Sequence, residues 1–424
     1  MSGRHFAAEG RRDTAVAHLA LARRQNKGNG TPGFTKEKKE SHENGSLFTD
    51  KGFWEDAAAD GRSGSGPAAR TEEKSMSVVR QDFGKTKDGR AISLYTVTNK
   101  KGAVMKVTDF GAILVSVMVP DRDGRLTDVV LGFDSGEDYE QKNVPHFGAT
   151  IGRNGNRIDQ SAFILNGERV QLTPNENENN LHSGPVGYDL MMWEGQEKED
   201  GVAFHRISPD GEQGFPGNFD VTVTYTLTEE NAVQIHYEGI CDKDTVANMT
   251  NHSYFNLGGH ASGSVCGQLM QLNASRYTPV KDSRSIPTGQ IVPVAGTPMD
   301  FREPRVIGEE IDADFEQLRL TGGYDHNFVL DRSSDGLEWM ARAFCRENGI
   351  YMEAFTDRPG VQFYTGNFID GEKGKEGAVY AKRQGFCLES QYFPNSVNDP
   401  HFAHPFLAAG EKYDTRTVYR FSVR

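Results

Sequence analysis

The chain is poor in cysteine, in long apolar runs and in excess base, and each shortage removes a class of protein. Cysteine occurs four times in 424 residues, at Cys241, Cys266, Cys345 and Cys387. The four are far apart and form no CxxC pair, so free, mostly buried thiols in a reducing, cytoplasmic compartment are expected rather than a disulfide framework. No stretch approaches the ~18 apolar residues that a membrane-spanning helix needs; the longest run, Ala112 to Pro120, is broken by Ser116. A formal net charge of −13 argues against the basic face of a nucleic-acid binder and against an anionic membrane. There is no P-loop, no dinucleotide fingerprint after a strand, no HExxH and no nucleophile elbow, which argues against nucleotide, zinc-protease and serine-hydrolase chemistry. The N-terminus lacks an apolar signal core. Arg11, Arg12, Arg23 and Arg24 flank a short apolar patch as in a transit peptide, but Glu9 and Asp13 count against that reading.

What is present divides the chain in two. Residues 1–75 are rich in Gly, Ser, Lys and Glu, nearly balanced in charge, and show no sustained strand pattern. They are expected to be largely disordered, with Gly61 to Lys74 as a flexible linker. Met76 opens the ordered part, as the end of an extension or as a translation start in its own right. From Val78 onward the pattern is β. Asn166-Gly167 between two apolar runs predicts a hairpin over Phe163 to Leu172, because Asn-Gly accepts the positive φ angles of a type I′ turn. Val221, Val223, Tyr225 and Leu227 alternate with threonines, and the alternation resumes at Val233, Ile235 and Tyr237, predicting a second antiparallel pair. Further strands are expected at Val104 to Thr108, Ile113 to Val119, Val129 to Phe133, Ile350 to Thr356, Gly385 to Glu389 and Thr417 to Val423. Helical periodicity is nearly absent; Glu309 to Leu320 is one short candidate, and Thr14 to Arg24 in the N-terminal extension is another. Many strands and turns with few helices predict an all-β protein, a large antiparallel β-sandwich, over residues 76–424.

Five stretches set polar residues where a plain sandwich has no use for them: IGRNGNRI (151–158), NNLHSGP (179–185), NMTNHSYFNLGG (248–259), GGYDHNFVL (322–330) and GFCLESQYFPNS (385–396). Such mixtures of ionisable, amide and aromatic groups suit a concave sugar site. Glu389 follows Phe386, Cys387 and Leu388, and a carboxylate among apolar neighbours has a raised pKa that suits a general base near neutral pH; the plainer reading is a strand-edge Glu paired with Lys or Arg. His252 can give a proton near neutral pH, or be a core histidine bonded to a neighbouring Asn; His182 carries the same alternatives. Asp325 can accept bonds from sugar hydroxyls or cap a turn, and Arg157 can orient an oxyanion or sit in a buried ion pair. His146 and His326 read as structural.

In combination and order these segments resemble the aldose 1-epimerase (galactose mutarotase) family. The resemblance covers nearly all of 78–424. It rests on FGA (110–112), GRNGNRI (152–158), LHSG (181–184), NHSYFNL (251–257), YDHNF (324–328), PGVQFYTGNF (359–368) and LESQYFPNS (388–396). It implies a β-supersandwich and acid/base ring opening and closure that interconverts the α and β anomers of free aldoses such as galactose or glucose. Glu389 falls on the base and His252 on the acid. Asn156, Arg157, His182, Tyr254, Asp325 and Gln362 fall on substrate-binding positions. No metal or other cofactor is implied, and the expected partner is a free monosaccharide, with the chain a monomer or homodimer. Two departures fall in loops and bear on substrate preference rather than chemistry: Ser183-Gly184 where two glycines often follow the histidine, and Asn154-Gly155 where Val and Ala often precede the Asn-Arg pair. Two other classes compete. A glycoside hydrolase would use Asp325 and Glu389 as its carboxylate pair. A non-catalytic sugar-binding module could use the same scaffold. The two well-placed histidines speak against the first, and the presence of both Glu389 and His252 against the second. A hexose-phosphate substrate would call for clustered Arg or Lys, and these segments offer only Arg157 and Arg153.

Overall fold

The structure, a computed structural model, describes residues 75–142 and 145–424. The expectations for the N-terminal extension, Met76 apart, lie outside the described residues. Three antiparallel sheets dominate the described chain. The first has five strands in sequence order, Ser77–Lys85, Ala91–Thr98, Val104–Thr108, Ile113–Pro120 and Leu126–Asp128. The second has nine, in the spatial order Glu194–Glu197, Gly201–Ser208, Phe219–Leu227, Ala232–Cys241, Lys412–Val423, Ile350–Thr356, Glu338–Phe344, Leu269–Leu272 and Arg305–Val306. The third has five, in the order Val292–Pro293, Arg276–Thr278, Asp325–Val329, Gly360–Tyr364 and Cys387–Gln391.

The alternation read from the sequence sets which face is buried. In Phe219–Leu227 every odd-numbered residue is buried, while the intervening positions are exposed or half-buried. The strand pairs with Ala232–Cys241 so that Val223 faces Tyr237 and Tyr225 faces Ile235. One apolar core runs through all three sheets, joining Val107 and Val117, Val223 and Ile235, and Phe328, Phe363 and Leu388. The predicted all-β sandwich is what forms, and no helix among the described residues is long and apolar enough to cross a membrane. Two expectations need correction. Val129 to Phe133 is no strand: its one bridge is Val130 to Phe255, and the segment is buried as an apolar connector instead. The helix expected over Glu309 to Leu320 is only Glu316–Thr321, closed by Gly322 in the left-handed conformation at φ 69°. The helix Gly136–Lys142 was not foreseen, being too short to show a helical period.

The hairpin forms as expected. Leu165 pairs with Glu168 across Asn166 and Gly167, which take φ of 54° and 84°, the signs a type I′ turn needs. A Cβ on Gly167 would meet no heavy atom within 4 Å, so only the backbone conformation opposes a side chain there. Gly167→Val should therefore lower unfolding stability by about 1–2 kcal/mol and leave catalytic activity unchanged, as read by urea denaturation and a parallel rate assay.

Candidate active site

Short strand pairings gather four distant segments at one place. In the third sheet Asp325 pairs with Tyr364, and Gln362 with Glu389. Side chains alternate along a strand, so Cys387 and Glu389 share one face of the edge strand Cys387–Gln391. The strand Thr250–His252 pairs with Ala149–Ile151. Just beyond it, Phe255 and Phe386 exchange two backbone hydrogen bonds of 2.7 and 2.9 Å. That exchange ties the His252 segment to the Glu389 segment and leaves His252 Nε2 3.6 Å from Glu389 Oε1. Arg157–Ile158 pairs with Asn180–Leu181, which brings Asn156, Arg157 and His182 to the same spot. Asn156 and His182 hold positive φ of 61° and 52°, conformations that Asn and His tolerate better than most residues. Asn251 supports the turn after His252: its amide donates to the Gly148 carbonyl (2.9 Å) and its oxygen accepts from the Ser253 hydroxyl (2.6 Å).

The result is a cavity of about 390 Å³ whose walls include Glu389, His252, Asn156, Arg157, His182, Tyr254 and Asp325. Its size is in the range of small-molecule sites. Seven of the eight residues expected from the sequence thus face one space. Gln362 does not line it. Its amide donates to Asp325 Oδ1 at 2.7 Å, and its own oxygen accepts from Gln391 at 3.2 Å, so it orients the aspartate from the adjacent strand. Tyr254 lines the wall through its ring, while its hydroxyl donates to the Pro145 carbonyl at 2.9 Å.

Burial decides the charges. Glu389 is 2% exposed; desolvation, reinforced by the negative field of Asp325 and opposed by Arg157, holds its carboxyl well above the usual carboxylate range. Its Oε2 has no hydrogen-bond partner, so the expected pairing of a structural glutamate with Lys or Arg is not what is found. For His252 desolvation, helped by neighbouring His146, pushes the imidazole down to about 3. His182 is lowered well below the ordinary histidine value, first by desolvation and then by its charged neighbours. Asp325 is raised by burial against the pull of Arg157. Arg157 does form the ion pair weighed from the sequence, a two-pronged contact to Glu176 at 2.6 and 2.8 Å, while still facing the cavity.

Ligand atoms of His182, His252 and Glu389 lie within 4.8 Å of one another, a spacing that a metal could exploit. The donor set does not fit one. His182 Nδ1 accepts the Asn156 backbone N–H at 3.1 Å, so a neutral ring carries its proton on Nε2. Metal-binding histidines show the reverse, donating through one nitrogen to free the lone pair of the other. The cluster is instead an array of hydrogen-bond donors beside a carboxyl acceptor, which suits polar oxygens.

Sequence reading missed four residues. His146, read as structural, lines the cavity and holds Asp189 at 2.8 Å. Glu176 sits in an Asn- and Glu-rich stretch that reads as a solvated turn. Tyr364 and Phe368 both lie in PGVQFYTGNF; they stack with rings 24° apart, and Phe368 stays 67% exposed at the rim. An aromatic two residues beyond Gln362 was the available signal for Tyr364. The two departures from the family pattern prove to be coupled. The Ser183 hydroxyl accepts from Asn154 N at 2.8 Å and donates to Asn154 O at 3.0 Å. Arg153 does not reach the cavity; it is buried, donating to the carbonyls of Pro216 and Gly217. A second cleft of about 450 Å³ lies against Lys375 and Asp128. There Lys375 Nζ is already bonded to Asp128 (2.6 Å) and the Val115 carbonyl (2.9 Å), an ion pair complete in itself.

Comparison with known proteins agrees with this geometry. The family model described as aldose 1-epimerase matches residues 93–420. Galactose mutarotase from Homo sapiens is 44% identical over 318 residues, 75% of this chain and 90% of that one. Galactose mutarotase from Sus scrofa is 41% identical over 82% of this chain and 99% of its own, and aldose 1-epimerase from Escherichia coli (strain K12) is 40% identical over 79% and 96%. Among solved structures, an aldose epimerase homologue from C. elegans superimposes with a TM-score of 0.73 at 29% identity, over 78% of this chain and 99% of that one.

Three buried histidines held neutral carry a consequence for stability. His182, His252 and His326 all have lowered pKa values, the last two about 3 against an ordinary 6.5. Below about pH 6.5 the unfolded chain takes up protons at these sites that the folded chain refuses. Their contribution is therefore complete above that pH and is lost as pH falls toward about 3, by up to about 1.4 kcal/mol per pH unit for each histidine. Urea unfolding at pH 7 and pH 5 should show this acid slope, and His326→Gln, outside the cavity, should flatten it; an unchanged slope would contradict the assignment.

Proposed function

The chain belongs to the aldose 1-epimerase family, and from that premise we propose that Glu389 and His252 are the base and the acid of its anomer exchange. The enzyme interconverts the α and β anomers of a free sugar. Ring opening takes one proton from the anomeric hydroxyl and delivers one to the ring oxygen. A single side chain cannot serve both oxygens at once. Glu389 as carboxylate takes the first proton, and His252 as imidazolium gives the second from Nε2. The anomeric C–O bond gains double-bond character while the bond from that carbon to the ring oxygen breaks. Rotation about the bond beside the new carbonyl exposes its other face, and closure with the roles reversed yields the other anomer. The His182 Nε2–H and Arg157 stabilise negative charge on oxygen, and Asp325, held by Gln362, binds ring hydroxyls. No net oxidation occurs, so the chemistry calls for no redox cofactor.

The observation that carries this reading is the desolvation of both groups in one cavity. Burial that raises Glu389 makes its carboxylate a stronger base, and burial that lowers His252 makes its imidazolium a stronger acid. Ring opening converts the charged pair into the neutral pair, the state that burial favours. Between them the two groups hold one proton throughout, so as pH rises the competent protonation count is lost only when the raised Glu389 titrates.

The remaining assignments rest on simpler grounds. A catalytic domain over 76–424 agrees with a strand at Ser77–Lys85, the first among the described residues. A cytoplasmic enzyme of galactose and hexose metabolism, monomeric or homodimeric, agrees with four cysteines that are all free and with a neutral monosaccharide as partner.

Glu389→Gln and His252→Asn should each lower kcat by about 10²–10⁴-fold while circular dichroism shows an intact fold. Polarimetry with freshly dissolved α-galactose reads the rate; either variant keeping most of its activity would end this assignment. For the wild type, kcat/KM should stay level through the ordinary glutamate range and fall only at higher pH, where the pair loses its proton. A fall within the ordinary glutamate range would contradict this reading.

A further inference from the structure

His146 lines the cavity but takes no part in the anomer exchange described above. Its Nδ1 lies 2.8 Å from Asp189 Oδ2. The aspartate side chain is 5% exposed and the imidazole 26%, so the contact is buried at the carboxylate end and open at the far edge of the ring. The two nitrogens of an imidazole point away from each other. With Nδ1–H donating to Asp189, Nε2 is the nitrogen turned to the open side, in the cavity wall, and it makes no hydrogen bond among the described residues. We propose that His146 is a further sugar-binding residue, whose Nε2 pairs with a substrate hydroxyl that takes no part in ring opening. The proposal rests on the reading of this cavity as the sugar site.

The backbone fixes the residue on both sides. The Pro145 carbonyl before it accepts from the Tyr254 hydroxyl at 2.9 Å, and its own carbonyl accepts from Ala149 N at 3.1 Å. Gly148 N donates to the His252 carbonyl at 3.1 Å, so the segment that carries His146 is tied to the one that carries His252. The His146 ring stands 5.1 Å from that of His182 and 5.8 Å from that of His252, centroid to centroid. A sugar held against those two histidines is therefore close to the third. The carboxylate of Asp189 decides which nitrogen is offered, since the bond made by one ring nitrogen sets the role of the other. A sugar hydroxyl both donates and accepts, so it can donate to Nε2 of a neutral ring or accept from Nε2–H of a charged one. Glu389 and His252 already serve the anomeric hydroxyl and the ring oxygen, which leaves His146 the hydroxyls that do not react. No covalent bond changes at His146, and the contact is made alike before and during ring opening.

The test compares the full-length wild type with His146→Asn and His146→Gln by polarimetry, on galactose and on its 2-, 3-, 4- and 6-deoxy forms. Asparagine sets its amide where Nδ1 sits, can keep the bond to Asp189 and suits the positive φ of 61° at this residue, but it has nothing at the position of Nε2. Glutamine reaches that position. On galactose, His146→Asn should raise KM by about 3–10-fold, the scale of one lost hydrogen bond, with kcat nearly unchanged, because uniform binding is what is removed. On the one deoxy sugar that lacks the partner hydroxyl, wild type and His146→Asn should have the same KM. His146→Gln should recover most of the wild-type KM for galactose. A KM that rises equally for every sugar is the mark of lost packing and would overturn the proposal. So would a KM that moves for none of them, a fall in kcat alone, or a glutamine variant that recovers nothing. Independently of either variant, a crystal structure of the wild type with galactose should place a non-reacting hydroxyl oxygen within about 3.2 Å of His146 Nε2. Galactose in the cavity without that contact would sink this proposal alone, whereas galactose bound elsewhere would sink the reading of the cavity as the sugar site.

Discussion

The contact on which the rest depends is the one between Glu389 and His252, a carboxyl and an imidazole 3.6 Å apart and both almost fully buried. Neither group is stable there as an isolated charge. A folding chain gains nothing from placing them so, since Glu389 Oε2 is left without a partner and unpartnered buried polar atoms cost about 1–3 kcal/mol. The cost is tolerable because the surrounding backbone over-determines the arrangement. The Phe255 and Phe386 main chains bond each other twice, the Tyr419 hydroxyl donates to the Leu388 carbonyl at 2.9 Å, and the Ser390 and Thr417 hydroxyls lie 2.5 Å apart. Glu389 is thus clamped on both sides by residues fixed to the nine-stranded sheet or to the His252 segment.

The sandwich around the pair divides its labour. The nine-stranded sheet supplies a large share of the apolar core. The smaller sheet that includes Asp325–Val329, Gly360–Tyr364 and Cys387–Gln391 supplies chemistry, and it can do so because an extended strand offers every second residue to one side. Asp325 gains its orientation from Gln362, and Gln362 in turn from Gln391. The polar chain therefore runs across three strands on the face that carries Glu389, which is why amide residues occur so deep in a β core. Arg157 is shared in a different way: its guanidinium binds Glu176 with two bonds, which fixes the plane that it presents to the cavity.

Most of this was legible in the sequence, for reasons that differ by residue. The hairpin at Asn166-Gly167 and the strands around Val223 and Ile235 could be read because their determinants are local: a dipeptide that accepts positive φ, and a period of two. Glu389 and His252 could be picked out as anomalies, ionisable groups among apolar neighbours, and the order of the motifs tied them to a family. What could not be read was whatever depends on pairing between distant segments. Val129 to Phe133 has the composition of a strand but finds no continuous partner. Gln362 carries a sugar-binding signature and shares a sheet face with Glu389, yet its amide is taken up by Asp325 and Gln391 on the two flanking strands, partners that its local sequence does not reveal. His146 and Glu176 sit in loops whose local sequence says only that they are polar, and their place at the site is set by contacts with Asp189 and Arg157. The coupling of Ser183 to Asn154 had no local trace at all, because each residue explains the other.

The acid/base pair works as described only if burial makes the Glu389 carboxylate a stronger base than an ordinary glutamate. The most direct measurement is infrared difference spectroscopy of the sugar-free protein, following the carbonyl stretch of a protonated carboxylic acid as pH is raised, with Glu389→Gln to assign the band. A band that persists to higher pH than that of ordinary solvent-exposed glutamates and is missing from the variant is the predicted result. Ionisation of Glu389 in the range of an ordinary solvent-exposed glutamate would contradict it, and with it the claim that desolvation sharpens both the base and the acid.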